Sequence, residues 1–357
     1  MSPKKILFRC DSSTLIGTGH VMRCLSLAER LRDREFYVKF ICRELQNNII
    51  TIIEKKQFNV LRLSAPQKNL TFPQPEANWL EVPLEQELEE IEPHLESFKP
   101  DWVVLDHYAL GRDWENHVLK QHVALLVIDD IFRPHVGNLL LDQNFHRSHL
   151  EKMFKINGST NLKYFLGPKY TLLPKRFDLN KRKLKIIPPV AKNILAFFGG
   201  SDPVKLSYKF LESCSLLIGD FDITLVIGPN NTEKSKLEAK ALELGVKTIF
   251  ATDDMYTLFE QADLFVGAGG TTNWERCFHG LPGIVVSIAQ NQVELAKSLD
   301  QQGSCLYIGE HNSVSEQLIA TKIQELARNF EKRSKQRAVS LSFEVGEGLQ
   351  ELIKEFF

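Results

Sequence analysis

Short apolar runs alternate along this chain with segments whose apolar positions recur every third or fourth residue. "KKILFRC" reads as a buried strand, and Val21, Leu25, Ala28 and Leu31 then fall at helical spacing. The alternation continues through "YVKFICR" (strand), a helix around residues 47–56, "FNVLRL" (strand), a helix around 84–98, and the strands "DWVVLDHY" and "HVALLVIDD". It restarts with "NILAFFGG", a helix to about Leu217, "FDITLVIG", a helix to about Leu244, "VKTIF" and a short helix. "ADLFVGAGG", "PGIVVSI" and "SCLYIG" follow as strands separated by helices, and helices close the chain. Strands and helices taking turns predict an α/β protein with two doubly wound, Rossmann-like parallel-sheet domains. The halves share architecture without a visible repeat.

A length of 357 residues exceeds what one core usually fills, which agrees with two domains. The expected division is 1–170, a linker at 171–190, 191–340, and a terminal helix at 341–357 that packs back on the first domain. "LPKRFDLNKRKLKIIPP" combines prolines with a basic run, the texture of a solvated hinge. Pro66, Pro73 and Pro75 mark residues 64–80 as a surface loop or insertion. Ligands of open parallel sheets bind outside the carboxyl ends of the strands. Two such domains facing each other would therefore pool their loops in one cleft.

Composition narrows the partners. With 43% hydrophobic residues, 25% charged residues and a net charge of -1, the chain offers no polybasic field for nucleic acid or anionic membrane. The six cysteines, Cys10, Cys24, Cys42, Cys214, Cys277 and Cys305, show no zinc or redox spacing. "MSPKKILFRCDSS" lacks a secretory core, and no apolar run approaches about 18 to 20 residues. A cytoplasmic monomer is expected, with no nucleic-acid or membrane partner.

The richest segment is "GAGGTTNWERCFHGLPGIVVSIAQNQ", residues 267–292. A strand ends in Gly267, Gly269 and Gly270, which permit close backbone approach, and Thr271 and Thr272 open a helix whose free N–H groups suit a diphosphate. Threonine as a simple helix cap is the plainer alternative. Glu275, one turn on, could accept two hydrogen bonds from a ribose or could be a surface glutamate. Asn291 and Gln292 could cap the next helix or reach a sugar. Upstream, "FFGGSDP" gives a second small polar turn at Gly200, Ser201 and Asp202, and "IFATDDM", with Phe250 and Met255, supplies backbone suited to reading a flat base.

The other cluster is "RCDSSTLIGTGHVMRC", a polar, glycine-broken loop with one histidine at the threshold of a helix. His20 follows Gly17 and Gly19, and the positive end of a helix disfavours a second positive charge there by about 0.3–1 kcal/mol. A neutral imidazole is a base; a histidine that merely caps or packs is the alternative. G-x-G-x-x-G would require glycine where Met22 stands, which disfavours a dehydrogenase. Arg23 lies on the same helix face, facing a leaving group or a carboxylate. Asp11 could orient His20 or pair with Arg9. "LDHY" puts Asp106 and Tyr108 at another strand end, where Tyr108 could bond a sugar or form a rim. Asp129 and Asp130 of "IDD" invite a metal, but no third oxygen ligand stands at telling spacing, and none is expected.

"GAGGTTNWERC", "GLPGIVV" and "QNQ" resemble the donor-binding half of the B-fold nucleotide-sugar glycosyltransferases. Together with "RCDSSTLIGTGHVMRCLSLA", "LDHY", "IDD" and "FGGSDP", they are more similar to the UDP-2,4-diacetamido-2,4,6-trideoxy-beta-L-altropyranose hydrolases of pseudaminic acid biosynthesis and their relatives in spore-coat polysaccharide synthesis. The resemblance runs from about Lys4 to beyond Gln292. It implies a metal-independent, cofactor-free hydrolase that cleaves a UDP-linked amino sugar to UDP and free sugar, with His20 as catalytic base and Tyr108 as a site residue. It further implies substrate contacts among Arg9, Asp11, Gly17, Gly19, Arg23, Asp106, Asn291 and Gln292. UDP contacts fall among Gly200, Ser201, Asp202, Phe250, Met255, Gly270, Thr271, Thr272 and Glu275. A glycosyltransferase and a silent nucleotide-sugar binding module remain the alternatives.

Overall fold

The computed structural model describes residues 3–66, 79–144, 162–218 and 220–357. The chain forms two compact units, Met1–Lys175 with Gly348–Phe357, and Arg176–Glu347.

Unit 1 is a seven-stranded sheet in the order β3-β2-β1-β4-β5-β6-β7, built from β1 (Lys5–Cys10), β2 (Tyr37–Arg43), β3 (Asn59–Leu63), β4 (Trp102–Asp106), β5 (Ala124–Ile128), β6 (Leu139–Asp142) and β7 (Lys163–Leu166). Its neighbouring strands pair in parallel. The strand side chains alternate between two cores. Ile6, Phe8, Trp102 and Val104 face one, and Leu7, Val103 and Leu105 the other. The first core is closed by α1 (Gly19–Arg32) and α2 (Ile50–Lys55), the second by α3 (Leu84–Phe98) and α4 (Arg112–Leu119). Helix α2 starts later than the periodicity predicts. The Asn48 side chain donates to Leu45 O at 2.7 Å and accepts from Ile50 N at 3.0 Å, so a turn replaces the first expected helical residues.

Unit 2 carries six parallel strands in the order β10-β9-β8-β11-β12-β13: β8 (Asn193–Phe197), β9 (Asp222–Ile227), β10 (Lys247–Phe250), β11 (Leu264–Ala268), β12 (Gly283–Ser287) and β13 (Leu306–Glu310). Around them lie α5 (Leu206–Cys214), α6 (Lys234–Glu243), α7 (Met255–Gln261), α8 (Thr272–Phe278), α9 (Val293–Gln302), α10 (Glu316–Arg328) and α11 (Phe330–Ser342). Residues 176–190, the greater part of the basic stretch, cluster with this unit. The chain leaves it at Gly348 and ends in α12 (Leu349–Lys354), whose Leu349, Leu352 and Ile353, followed by Phe356, enter the first core of unit 1. A side chain at Gly348 would meet Tyr170 at 2.6 Å, which lets the returning chain lie against that ring. Of the insertion at 64–80, residues 67–78 lie outside the described residues.

In both sheets the strand order reverses once at the centre, between β1 and β4 and between β8 and β11. Loops leaving the two central strands diverge there and open a crevice at the carboxyl edge.

Candidate functional site

The crevice of unit 1 lies where β1 and β4 end level, with Cys10 paired to Asp106. The loop after β1 is tied by Gly17 N to Ser13 O at 2.9 Å and by the Ser13 hydroxyl accepting from Leu15 N and Ile16 N at 3.2 and 3.1 Å. Gly17 sits at φ 78, a left-handed conformation that glycine adopts freely. Thr18 is the N-cap of α1, Gly19 its first residue and His20 its second.

His20 Nδ1 lies 2.6 Å from Asp106 Oδ1. Burial alone would raise the Asp106 pKa, but Arg23 and then His20 hold it well below the carboxylate range. An ionised carboxylate only accepts, so Nδ1 carries a proton and Nε2 is the ring nitrogen left to gain or lose one. Arg23 grips the same carboxylate, with Nε 2.6 Å from Oδ2 and Nη2 2.7 Å from Oδ1, and its Nη1 reaches Asp130 at 3.0 Å. Asp130 also accepts from the Tyr108 hydroxyl and from Asn144 Nδ2. The His20 ring stands edge-on to Tyr108 at 4.7 Å and to Trp79 at 5.4 Å, and Trp79 stacks on Tyr108 at 4.7 Å. His20 keeps 8% of its surface exposed.

Thus His20, Arg23, Asp106 and Tyr108 come together, and Asp130 joins them. Arg9 and Asp11 do not. Arg9 is fully buried between Asp11 at 2.6 Å and Glu87 at 2.7 Å. Asp11, also fully buried, accepts from Arg43 N at 2.7 Å and faces His107 Nε2 at 3.2 Å. The orienting carboxylate is therefore Asp106 rather than Asp11: β1 aims Asp11 toward Arg43 of β2, whereas the neighbouring strand end delivers Asp106 under the helix. Asp129 belongs to a further buried set. It accepts from Arg133 Nη2 at 2.8 Å and faces His135 Nε2 at 3.3 Å, while His135 Nδ1 meets Glu115 at 2.6 Å. Arg133 also donates to the carbonyls of Tyr108 and Leu110, which fixes the loop carrying Tyr108. Among the described residues no group of three or more His, Cys, Asp or Glu side chains could hold a metal.

Unit 2 builds its crevice mainly from backbone. The turn after β8 has Gly199 at φ 95, with Gly200 and Ser201 half-buried. Asp202 instead turns inward, accepting from Leu206 N at 2.9 Å and Ser207 N at 2.8 Å to cap the start of α5. A Cβ at Gly228, after β9, would fall 2.3 Å from Gly200 O, so this turn needs a glycine neighbour. After β11, the buried Asn273 donates to Ala268 O and Gly270 O, both at 3.2 Å, and holds the Gly269–Gly270 turn. The Thr271 side chain makes no cap hydrogen bond.

Gln292 reaches this turn: a Cβ on Gly270 would lie 3.6 Å from its Nε2, and its Oε1 accepts from Ile288 N at 3.0 Å. Asn291 is exposed beside it. Glu275 is half-buried, and burial raises its carboxyl to about 7. Phe250 ends β10, separated from the central strand β8 by β9, and is 41% exposed with the Lys234 ammonium 4.1 Å from its ring centre. Met255 is half-buried at the start of α7. Sequence reasoning missed Trp79, Asp130 as a partner of Arg23, Arg133 and Asn273. Only Asp130 had a local signal, its position at a strand end.

Residues 194–353 match the glycosyltransferase family 28 C-terminal domain. A crystal structure of MurG from Acinetobacter baumannii aligns with a TM-score of 0.68 at 13% identity, covering 99% of both chains. The fold is that of the B-type glycosyltransferases. In sequence, the chain is 26% identical over 302 residues to an uncharacterised protein of Methanocaldococcus jannaschii, covering 81% of this chain and 56% of that one. It is 27% identical over 178 residues to the spore coat polysaccharide biosynthesis protein SpsG of Bacillus subtilis, covering 49% and 52%. It is 30% identical over 141 residues to the UDP-2,4-diacetamido-2,4,6-trideoxy-beta-L-altropyranose hydrolase of Campylobacter jejuni, covering 39% and 42%. The chain spans about half the length of the curated relatives it matches.

Proposed function

We propose that this protein acts on a UDP-linked sugar in polysaccharide biosynthesis and that it hydrolyses a UDP-2,4-diacetamido-2,4,6-trideoxyhexose, the beta-L-altropyranose form, to UDP and free sugar. The observation that carries this reading is the 2.6 Å contact between His20 Nδ1 and Asp106, which leaves Nε2 as the basic nitrogen. Water attacks C1 as its proton passes to Nε2. The C1–O bond breaks with inversion, and its electrons leave on the UDP phosphate. Asp106 steadies the imidazolium, Arg23 and Asp130 hold Asp106 and Tyr108 in place, and the Tyr108–Trp79 pair walls the ring from bulk water. Gly17 and Gly19 let the loop lie close to the sugar.

UDP is assigned to unit 2. The diphosphate meets the turns at Gly200–Ser201 and Gly270–Thr271–Thr272, Glu275 accepts from the ribose, and the backbone from Phe250 to Met255 reads the base. Gln292, beside the Gly270 turn, and Asn291 reach toward the sugar. Asp202 supports the phosphate turn as a cap. The reading requires no metal or cofactor and places the protein in the cytoplasm as a monomer.

The match of residues 194–353 to a glycosyltransferase domain favours a second reading, in which His20 deprotonates an acceptor hydroxyl instead of water. UDP release measured with no acceptor present distinguishes them: steady turnover is expected, and release that appears only with an added acceptor overturns hydrolysis. With 18O-water the label should enter the sugar; label in UDP would place the attack at phosphorus. EDTA should leave the rate unchanged.

A further inference from the structure

Beside the crevice of unit 1 lies a second buried charge set that the proposed reaction does not use. His135 is fully buried and has a carboxylate at each ring nitrogen. Glu115 of α4 lies 2.6 Å from Nδ1, and Asp129, just past β5, lies 3.3 Å from Nε2. Both carboxylates are fully buried as well. Arg133 completes the set, donating to Asp129 Oδ1 from Nε at 3.0 Å and from Nη2 at 2.8 Å. Two carboxylates and one guanidinium would leave a negative charge unanswered in the interior, which is costly, and a proton on His135 balances it. Burial alone would lower the His135 pKa, yet Asp129 and then Glu115 push it up to about 9. The ring is therefore an imidazolium at neutral pH.

This set reaches Tyr108 by two routes. Asp129 and Asp130 are consecutive, so fixing the first sets where the second stands, and Asp130 accepts from the Tyr108 hydroxyl and from Arg23. Asp129 accepts in addition from Ile131 N at 3.3 Å and Arg133 N at 3.2 Å, which closes the chain after Asp130 into a turn. On the second route Arg133 spans to the loop between β4 and α4, donating to Tyr108 O and to Leu110 O at 3.0 Å. Tyr108 is thus held at its hydroxyl and at its carbonyl, and its ring is the one that stands edge-on to His20 at 4.7 Å. Glu115 also accepts from Val136 N at 2.7 Å, so α4 anchors the far end of the turn.

We propose that His135, Asp129 and Arg133 are positioning residues: the charged ring fixes Asp129, Asp129 fixes Arg133 and Asp130, and these two hold Tyr108 against His20. What Tyr108 contributes to turnover rests on the hydrolase reading; where its ring stands does not. The proton on His135 is kept below about pH 9 and lost as pH rises through that value, so the placement loosens on the alkaline side.

The first test needs no substrate. Histidine-ring NMR of the full chain is followed from neutral to alkaline pH, with His135→Gln and His20→Asn assigning the two rings. His135 should carry a proton on both nitrogens at neutral pH and lose one near pH 9. The His20 resonances should shift with that same inflection in the wild type and lose it in His135→Gln. A singly protonated His135 ring at neutral pH, or a His20 ring that ignores the inflection, would overturn the proposal. If His135→Gln melts early, Arg133→Met, at a side chain 22% exposed, serves the same comparison. Turnover of the UDP-sugar is the second test. Arg133→Met should lower kcat by about 10²-fold with KM within about twofold of wild type, and Arg133→Lys should recover part of the loss. An unchanged kcat, or an effect confined to KM, would also overturn the assignment. A wild-type protein without turnover would sink the hydrolase reading instead, and the NMR result would still decide the placement.

Discussion

The two crevices sit at the same topological place and are built in opposite ways. Unit 1 fills its crevice with charge that is already paired: His20, Arg23, Asp106 and Asp130 answer one another within a few ångströms. Unit 2 leaves its crevice to glycine turns at Gly199–Gly200 and Gly269–Gly270, with Glu275 as a carboxyl that burial keeps from ionising easily. A pre-paired cluster costs little reorganisation when a proton moves through it, which suits a reacting group. Open backbone with little side-chain charge suits a guest that brings its own charge. The pairing in unit 1 also explains why Arg23 is a poor candidate for a direct phosphate contact, since both of its forks already meet carboxylates.

If this division holds, damage to unit 1 should show in turnover and damage to unit 2 in affinity. The largest effect is expected at His20. His20→Asn should lower turnover by about 10² to 10⁴ while UDP affinity stays near wild type, and full activity in that variant would remove the proposed base. Next comes Asp106→Asn, which puts an amide where Arg23 needs an acceptor and where Nδ1 needs a partner. Breaking a buried pair of this kind costs about 3–5 kcal/mol, so the melting midpoint should drop together with turnover. An Asp106→Asn protein that melts normally and turns over at the wild-type rate would show that the cluster is not the unit described above.

Much of this was legible in the sequence, and the gaps have physical causes. The strand–loop–helix rhythm and the glycine-rich strand ends are local features, so β1, β4, β8 and β11 and their loops could be placed from period and turn chemistry alone. The short β6 and β7, four residues each, carry too few positions for a period to emerge. Partner choice is not local. Asp11 directly follows β1 and Asp106 ends β4, and only the tertiary arrangement decides which one lies under α1. Trp79 sits at the edge of a proline-rich stretch and meets Tyr108 only through tertiary packing. Asp202 reads as a ligand contact in the sequence, but its carboxylate accepts from Leu206 N and Ser207 N and so caps a helix start.

The smallest predicted effect tests unit 2 through Glu275, whose carboxyl is raised to about 7 from an ordinary 4.5. Its ionised form accepts from ribose hydroxyls, so affinity for a UDP-sugar should rise between pH 6 and pH 8 by up to about tenfold. UDP-N-acetylglucosamine is a suitable probe because its diphosphate diester does not titrate in this window. Glu275→Gln should flatten the profile near its low-pH level. Stability of the free protein should run the other way. The protonated carboxyl is the form the fold prefers, so its contribution is intact below about 4.5, where both folded and unfolded chains are protonated, and is lost as pH rises through 7. A binding profile that stays level in the wild type, or that keeps its slope in Glu275→Gln, would assign the ribose to another group and leave unit 2 with backbone alone.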